Sequence, residues 1–373
     1  MKRAFLVAGL AFGDESKGAT TDYLTWKYGA GLVVRYNGGS QAAHNVVQPD
    51  GRHHTFQQFG SGMFHPGVRT HLSRFMLINP MNMMREEEHL RAVGIDDAWQ
   101  RTSVDAGALI ITPFHRELNR AMTPAGTNSC GQGIGVCREF HLKHGDNALF
   151  AGDLLDRQKT YQKLRFIQIK CLENGLPAGI SKTNILQDIN AVDMCWDWYK
   201  DWRELVKIVT KLEINNLRAR LYDTDCVVFE GAQGVLLDET HGEPGFNTWT
   251  DTTFHNAIQL LDEAGYDGER IKVGVIRTYY TRHGDGAFPT EDPNLQYPEP
   301  HNEPGYPGKF RYGRFDVHLF SKALDIVGGV DWLAVNHIDQ ERIGHNLAAL
   351  IGQEPEQTII LGRGPTYKDR KEA

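Results

Sequence analysis

Gly9-Leu10-Ala11-Phe12-Gly13-Asp14-Glu15-Ser16-Lys17-Gly18 is the stretch that decides the fold. It follows an apolar run, Ala4–Ala8, and leads into a helical pattern over Lys17–Tyr28. Strand, glycine loop and helix make a P-loop-like cradle for phosphate. Backbone N–H groups and the positive end of a helix attract anionic oxygens, and Lys17 adds a cation. The stretch is neither GxxxxGK[ST] nor GxGxxG. Asp14 and Glu15 would repel an anion unless a metal sits between them, which points to Mg²⁺ held by Asp14. The plainer reading is a polar turn between strand and helix.

A second segment, Arg35-Tyr36-Asn37-Gly38-Gly39-Ser40-Gln41-Ala42-Ala43-His44-Asn45, follows a second predicted strand, Leu32–Tyr36. Both loops then fall on the carboxyl edge of a sheet, where open α/β folds bind ligands. His44 sits among small residues that leave space around its ring, although a lone histidine is more often structural. Further strands are expected at Phe75–Ile78, Leu109–Thr112, Cys226–Glu230, Ile271–Thr278, Trp332–Val335 and Thr358–Leu361. Helical patterns cover Asp197–Tyr222, Phe254–Ala264 and Asp316–Val327. Strands alternating with helices predict an α/β fold, a large and mostly parallel central sheet with flanking helices. Long Gly- and Pro-rich stretches at Pro124–Gly135 and Pro298–Gly313 read as binding loops.

The chain has 373 residues, 40 Lys+Arg against 47 Asp+Glu, and 40% hydrophobic residues. These values exclude a disordered chain, and the mild acidity argues against a duplex nucleic-acid binder. The 39 glycines follow no collagen period and suggest loops that approach ligands closely. Five cysteines, with no CxxC pair, argue against a disulfide framework or a cysteine zinc site and suggest a reducing cytoplasm. The start, Met1-Lys2-Arg3 before Ala4–Phe12, imitates a signal peptide but lacks a cleavage site, so a buried first strand is expected. No run is long enough to span a bilayer.

Several motifs together resemble the adenylosuccinate synthetase family. They are Gly13-Asp14-Glu15-x-Lys17-Gly18, Gly38-Gly39-x-x-Ala42-x-His44, and Phe229-Glu230-Gly231-Ala232-Gln233-Gly234. Thr281-Arg282-x-Gly284-x-Gly286-x-Phe288-Pro289-Thr290-Glu291 and Gly364-Pro365 add to them, all in family order. The resemblance implies a single α/β domain over residues 1–373, usually a homodimer, in which nucleotide hydrolysis drives attack by L-aspartate on a 6-oxopurine nucleotide. The turn Gly362-Arg363-Gly364-Pro365-Thr366-Tyr367-Lys368-Asp369 looks like the phage branch of the family. Those enzymes join aspartate to dGMP, using ATP or dATP, on the way to diaminopurine DNA. The implied location is then the cytoplasm, that of the host if the chain is phage-encoded. Some phage members lack the loop aspartate, which is present here as Asp14.

By the same resemblance, Asp14 removes the N1 proton of the base. O6 then attacks the γ-phosphate, and aspartate displaces phosphate from the 6-phosphoryl intermediate. His44 acts as acid on the transferring group, and Lys17 with the loop amides stabilises charge. Asp14 and the carbonyl of Ala43 are the implied protein ligands of Mg²⁺. The substrate nucleotide falls to Gln41, Ser129, Cys130, Gln233, Thr248 and Lys309. Aspartate falls to a loop from Glu303 to Arg311, including Tyr306, Gly308, Lys309 and Arg311. The donor nucleotide falls to Gly13, Glu15, Ser16, Lys17, Gly18, His44, Asn45, Arg311, Asn336, His337, Asp339, Gly362, Arg363 and Gly364. Asn336-His337-Ile338-Asp339 is similar to an NKxD-type base-reading turn. Asp339 favours guanine there, whereas the Gly362–Gly364 turn favours adenine.

The departures from the family are local. Ser16 and Ala19 stand where Gly and Lys are common, and Gln41 and Asn45 flank the histidine differently. Gln132 and Lys309 each replace an Arg. His141-Leu142-Lys143-His144 offers no Arg for the cross-subunit grip on the 5′-phosphate. Two other readings remain beside the dGMP ligase. One is an ordinary synthetase acting on IMP with GTP, and the other is a nucleotide-binding switch without ligase activity.

Overall fold

The computed structural model describes residues 2–123, 129–173, 185–209, 214–298, 306, 308–340 and 358–373. Glu303 and parts of the two Gly- and Pro-rich stretches lie outside them. The core is one ten-stranded sheet. From one edge its order is Arg370–Glu372, Thr358–Gly362, Trp332–Asn336, Glu269–Arg277, Arg3–Gly9, Cys226–Gly234, Leu32–Arg35, Arg69–Leu72, Thr102–Asp105 and Lys207–Val209. Every pairing is parallel except the last-formed edge, where Arg370–Glu372 runs antiparallel to Thr358–Gly362.

Both faces of the sheet are covered, as parallel sheets require. Phe5, Val7, Val33, Val228, Val273 and Val275 point to one face, against Tyr23 and Leu24 of the first helix. Leu6, Ala8, Val34, Phe229, Val335 and Leu361 point to the other, against Leu260, Phe320 and Ala323. A third apolar cluster joins the edge strands to Pro80–Ala92, Pro113–Met122, Ile134–His144, Arg157–Glu173 and Ala191–Leu205; the sequence patterns revealed only part of the last of these helices.

Lys17–Tyr28 is a helix with the expected bounds. The long helix expected over Asp197–Tyr222 is not formed. A helix ends at Leu205, Lys207–Val209 forms the edge strand beside Thr102–Asp105, and a second helix covers Ile214–Tyr222. Leu205, Ile208 and Val209 fit helical spacing, but pairing along an open sheet edge overrides that local preference. Phe75–Ile78 and Leu109–Thr112 shrink to Leu77–Ile78 and Leu109–Ile110, which pair with each other outside the main sheet.

Two antiparallel ribbons stand beside the sheet. His44–Val47 pairs with His53–Phe56, and Tyr279–His283 pairs with Phe310–Arg314. The first brings His44 onto the first helix. An added Cβ at Gly18 would lie 2.6 Å from that of His44, so only glycine permits this approach.

Candidate active site

The candidate residues gather at the carboxyl ends of the central strands. Among the described residues the non-glycine positions with positive φ are Asp14 (61°), Ser16 (75°), Gln233 (65°) and His337 (60°). Each is a predicted site residue, and each holds a backbone conformation that costs free energy unless its surroundings impose it.

The first loop is organised from within. The Glu15 carboxylate is buried and accepts hydrogen bonds from the amides of Ala11 (3.1 Å) and Gly13 (2.8 Å). Its other oxygen takes the Lys17 ammonium at 2.5 Å. Glu15 therefore braces the loop. The carboxylate fits because Gly9 and Gly234 face it, where any Cβ would lie within 2.5 Å of its atoms. Ser16 in the left-handed region turns the chain into the helix, whose first backbone bond runs from Thr20 to Ser16 at 3.0 Å. The amides of Lys17, Gly18 and Ala19 precede that bond, so they suit an anionic ligand.

The Asp14 carboxylate contacts His283 Nε2 at 3.1 Å. Burial works against its ionisation, but the His283 hydrogen bond and the positive charges of His283, Arg277 and Lys17 outweigh this and hold its pKa at about 2. His44 is 7% exposed, and its Nδ1 lies 2.6 Å from Glu230 in the central strand. Burial lowers the histidine pKa despite that partner. Burial would raise the Glu230 pKa, but Arg35, His44 and Ser61 together lower it. The resting pair is thus neutral imidazole beside carboxylate. With Nδ1–H donated to Glu230, Nε2 is left for a ligand. Ser61 donates its amide (2.9 Å) and its hydroxyl to the same carboxylate, and Arg35 lies 4.0 Å away. Glu230, Ser61 and Arg35 were missed as site residues. A charged residue inside an otherwise apolar strand, Cys226–Glu230, was the available signal.

His337 Nε2 meets Ser16 Oγ at 2.9 Å, and the ring stands edge-on to Tyr279. Burial first, then the Arg277 charge, keeps this histidine neutral. The Asn336 amide donates to the Glu15 carbonyl at 3.2 Å and so ties the turn to the first loop. Gly362 packs on Asn336, whereas Asp339 is exposed at the rim. The Arg363 amide donates to the Asp369 carbonyl, and Gly364 abuts the Asp369 side chain. Asn45 uses its carbonyl oxygen on His53 and Thr55.

A second group lies alongside. Ser129 Oγ exchanges hydrogen bonds with Asn119 and accepts from the Gly131 amide. Cys130 is next to it, its thiol pushed up by burial. Gln132 accepts from Asn82 at 2.9 Å. Gly131 packs against the Tyr306 ring, whose hydroxyl donates to the Thr123 carbonyl. Gly308, Lys309 and Arg311 line a cavity of about 560 Å³ with Glu291 and Tyr312. Arg311 pairs with Glu291 at 2.9 Å. The Thr248 amide is bonded to the Leu237 carbonyl. The Gln41 amide is buried, with neither its nitrogen nor its oxygen bonded. An unsatisfied buried amide is costly, which makes Gln41 a candidate ligand contact.

The described residues include no group of three or more His, Cys, Asp or Glu able to hold a metal alone. Mg²⁺ is usually held by one or two carboxylates with substrate phosphates supplying the rest. The ionised Asp14 fits that part, and Ala43 lies on the exposed turn before His44.

Fold and site define an α/β protein whose candidate loops gather at the carboxyl edge of a parallel sheet. The family model for adenylosuccinate synthetase matches residues 6–348. The chain belongs to the adenylosuccinate synthetase family. It is 30% identical to the adenylosuccinate synthetase of Mycobacterium tuberculosis over 295 residues, 77% of this chain and 65% of that one. It thus spans just under two thirds of the mycobacterial protein. With the enzyme of Legionella pneumophila (strain Lens) it is 29% identical over 380 residues, 99% of this chain and 84% of the other. The fold matches a fully ligated adenylosuccinate synthetase of Plasmodium falciparum with a TM-score of 0.78, at 16% identity over 98% of both chains. It also matches the succinoaminodeoxyadenylate synthetase of cyanophage S-2L, bound to dGMP and to dATP as an energy donor. There the TM-score is 0.70, at 16% identity over 100% of this chain and 95% of that one.

Proposed function

We propose that the protein is a carbon–nitrogen ligase that joins L-aspartate to C6 of a purine nucleotide at the expense of a nucleoside triphosphate. The observation that carries this reading is the buried His44–Glu230 pair held against the first loop. It places an oriented imidazole beside loop amides suited to phosphate. A nucleotide-binding switch without ligase activity would give that pair no task.

In this reading Asp14, set free from His283 by the incoming base, takes the N1 proton. The purine O6 then attacks the γ-phosphate. His44, which takes a proton from solvent once anionic phosphate lies at Nε2, donates an Nε2–H hydrogen bond to the transferring phosphoryl oxygens, and Glu230 stabilises that imidazolium. An anion at Nε2 raises the histidine pKa that burial had lowered. Mg²⁺, held by Asp14 and the Ala43 carbonyl with phosphate oxygens, would neutralise charge on the phosphates. The aspartate amine displaces phosphate from C6, its carboxylates met by Lys309 and Arg311.

Our preferred substrate is dGMP with ATP or dATP, giving N6-succino-2-amino-2′-deoxyadenylate, a precursor of the diaminopurine nucleotide of phage DNA. Its support is the Gly362–Gly364 turn and the fold shared with the cyanophage enzyme. IMP with GTP stands equally well, supported by the relatives of bacterial origin. A homodimer is proposed on family grounds. Phosphate release with L-aspartate and Mg²⁺ decides the substrate when dGMP, GMP and IMP are crossed with ATP, dATP and GTP. Turnover with IMP and none with dGMP would refute the preferred choice.

A further inference from the structure

The Ser129–Gly133 loop leans on the helix Pro113–Met122, and that helix carries Arg116 and Arg120. Thr112 caps the helix, Pro113 opens it, and Phe114 and Leu118 are buried beneath it. Asn119 fixes the loop by accepting from the Gly133 amide (3.0 Å) and pairing with Ser129. Arg116 and Arg120 lie four residues apart on one side of the helix, where like charges destabilise it. Arg116 Nε is enclosed without a hydrogen-bond partner, and the nearest carboxylate, on Glu117, is 3.9 Å from its guanidinium. Burial lowers the Arg116 pKa first. The charges of Arg120 and of Arg85, from the helix Pro80–Ala92, then lower it further. Arg120 donates to the Gly131 carbonyl at 3.1 Å, and its guanidinium lies 5.7 Å from the centre of the Tyr306 ring.

We propose that Arg116 and Arg120, with Arg85 beside them, form an oxyanion receptor where the Ser129–Gly133 loop meets the Tyr306 segment. Resting on the ligase reading, this receptor takes either a carboxylate of L-aspartate or the 5′-phosphate of the purine nucleotide. Its neighbourhood fits both ligands. Tyr306 belongs to the segment expected to hold aspartate. Gly39 lies against Ile134, which follows the loop, and beside the unbonded Gln41 amide. Guanidinium groups suit both anions through paired N–H donors.

The test uses the full-length protein and its Arg116→Gln/Arg120→Gln and Arg116→Lys/Arg120→Lys variants. Calorimetry measures binding of L-aspartate, inorganic phosphate, dGMP and IMP, and steady-state assays give KM for each substrate. The glutamine pair is expected to weaken aspartate, or else phosphate and nucleotide together, at least tenfold. The lysine pair should fall between, and melting temperature and triphosphate binding should hold. The ligand that weakens identifies the anion. Unchanged affinity for all four in a folded glutamine variant overturns the proposal. A wild-type protein with no aspartate-dependent phosphate release overturns the ligase reading instead, while the phosphate titration still reads the receptor.

Discussion

At the scale of single residues the site depends on paired charges that are individually uncomfortable. Glu230 is buried with His44, Arg35 and Ser61 around it, and removing one partner from such a group leaves the others uncompensated. Glu230→Gln keeps the shape but loses the charge that would stabilise the imidazolium. It should lower kcat on the order of 10²-fold or more, with a smaller effect on KM. Glu230→Ala should in addition cost about 3–5 kcal/mol in urea unfolding. A fully active Glu230→Gln protein would remove His44 from the chemistry. Asp14→Asn should abolish turnover without unfolding the chain, since asparagine tolerates the left-handed backbone that position 14 adopts. Near-normal turnover would refute the base assignment. Asp14, Lys17 and His44 were named because their loops repeat a family pattern. Glu230 stands in a separate motif, Phe229–Gly234, and was not singled out, since its contact with His44 exists only once two distant segments are packed together.

At the scale of elements, glycine decides which loops can meet. Gly18 lets the hairpin carrying His44 lie on the first helix, and Gly234 admits the Glu15 carboxylate beside the Ala11 carbonyl, 2.2 Å from where its Cβ would stand. Gly18→Ala should destabilise by about 1–3 kcal/mol and depress kcat, because the hairpin must move. A variant as stable and active as the parent would show that the approach is not needed. The strands missed in the sequence share a cause. Arg69–Leu72 and Thr102–Asp105 are short and largely polar, and they bury His71 and Ser103 through a mutual hydrogen bond of 2.9 Å. No apolar alternation marks them. Lys207–Val209 was missed for the opposite reason, since its apolar residues matched a helix better than a strand until an edge became available.

At the scale of the whole molecule, the alternation of strands and helices was enough to give the parallel sheet and the edge where ligands gather. Most of the flanking helices were not: Pro80–Ala92, Ile134–His144 and Arg157–Glu173 carry no consistent apolar stripe, and the stripe of Pro113–Met122 spans only ten residues. Burial of neutral histidines has a global consequence. Burial pushes His71 and His115 down to about 3. The unfolded chain takes up these protons near pH 6.5. Between about 3 and 6.5 the unfolded state therefore binds more protons, so stability rises with pH across that window and is lost as pH falls below 6.5. Each histidine contributes a slope of up to about 1.4 kcal/mol per pH unit. Urea midpoints should be flat above pH 7 and fall between pH 6.5 and 5, less steeply in His71→Asn. Midpoints independent of pH over that range would contradict the buried, neutral assignment.

Together these loops are proposed to make an aspartate-dependent, phosphate-releasing ligase. Single-turnover phosphate release, with and without L-aspartate, tests it most directly when dGMP or IMP is supplied with Mg²⁺ and ATP or GTP. Release should require both the purine monophosphate and aspartate, and should disappear in His44→Asn. Release at the same rate without aspartate or monophosphate, or none under any combination, would contradict it.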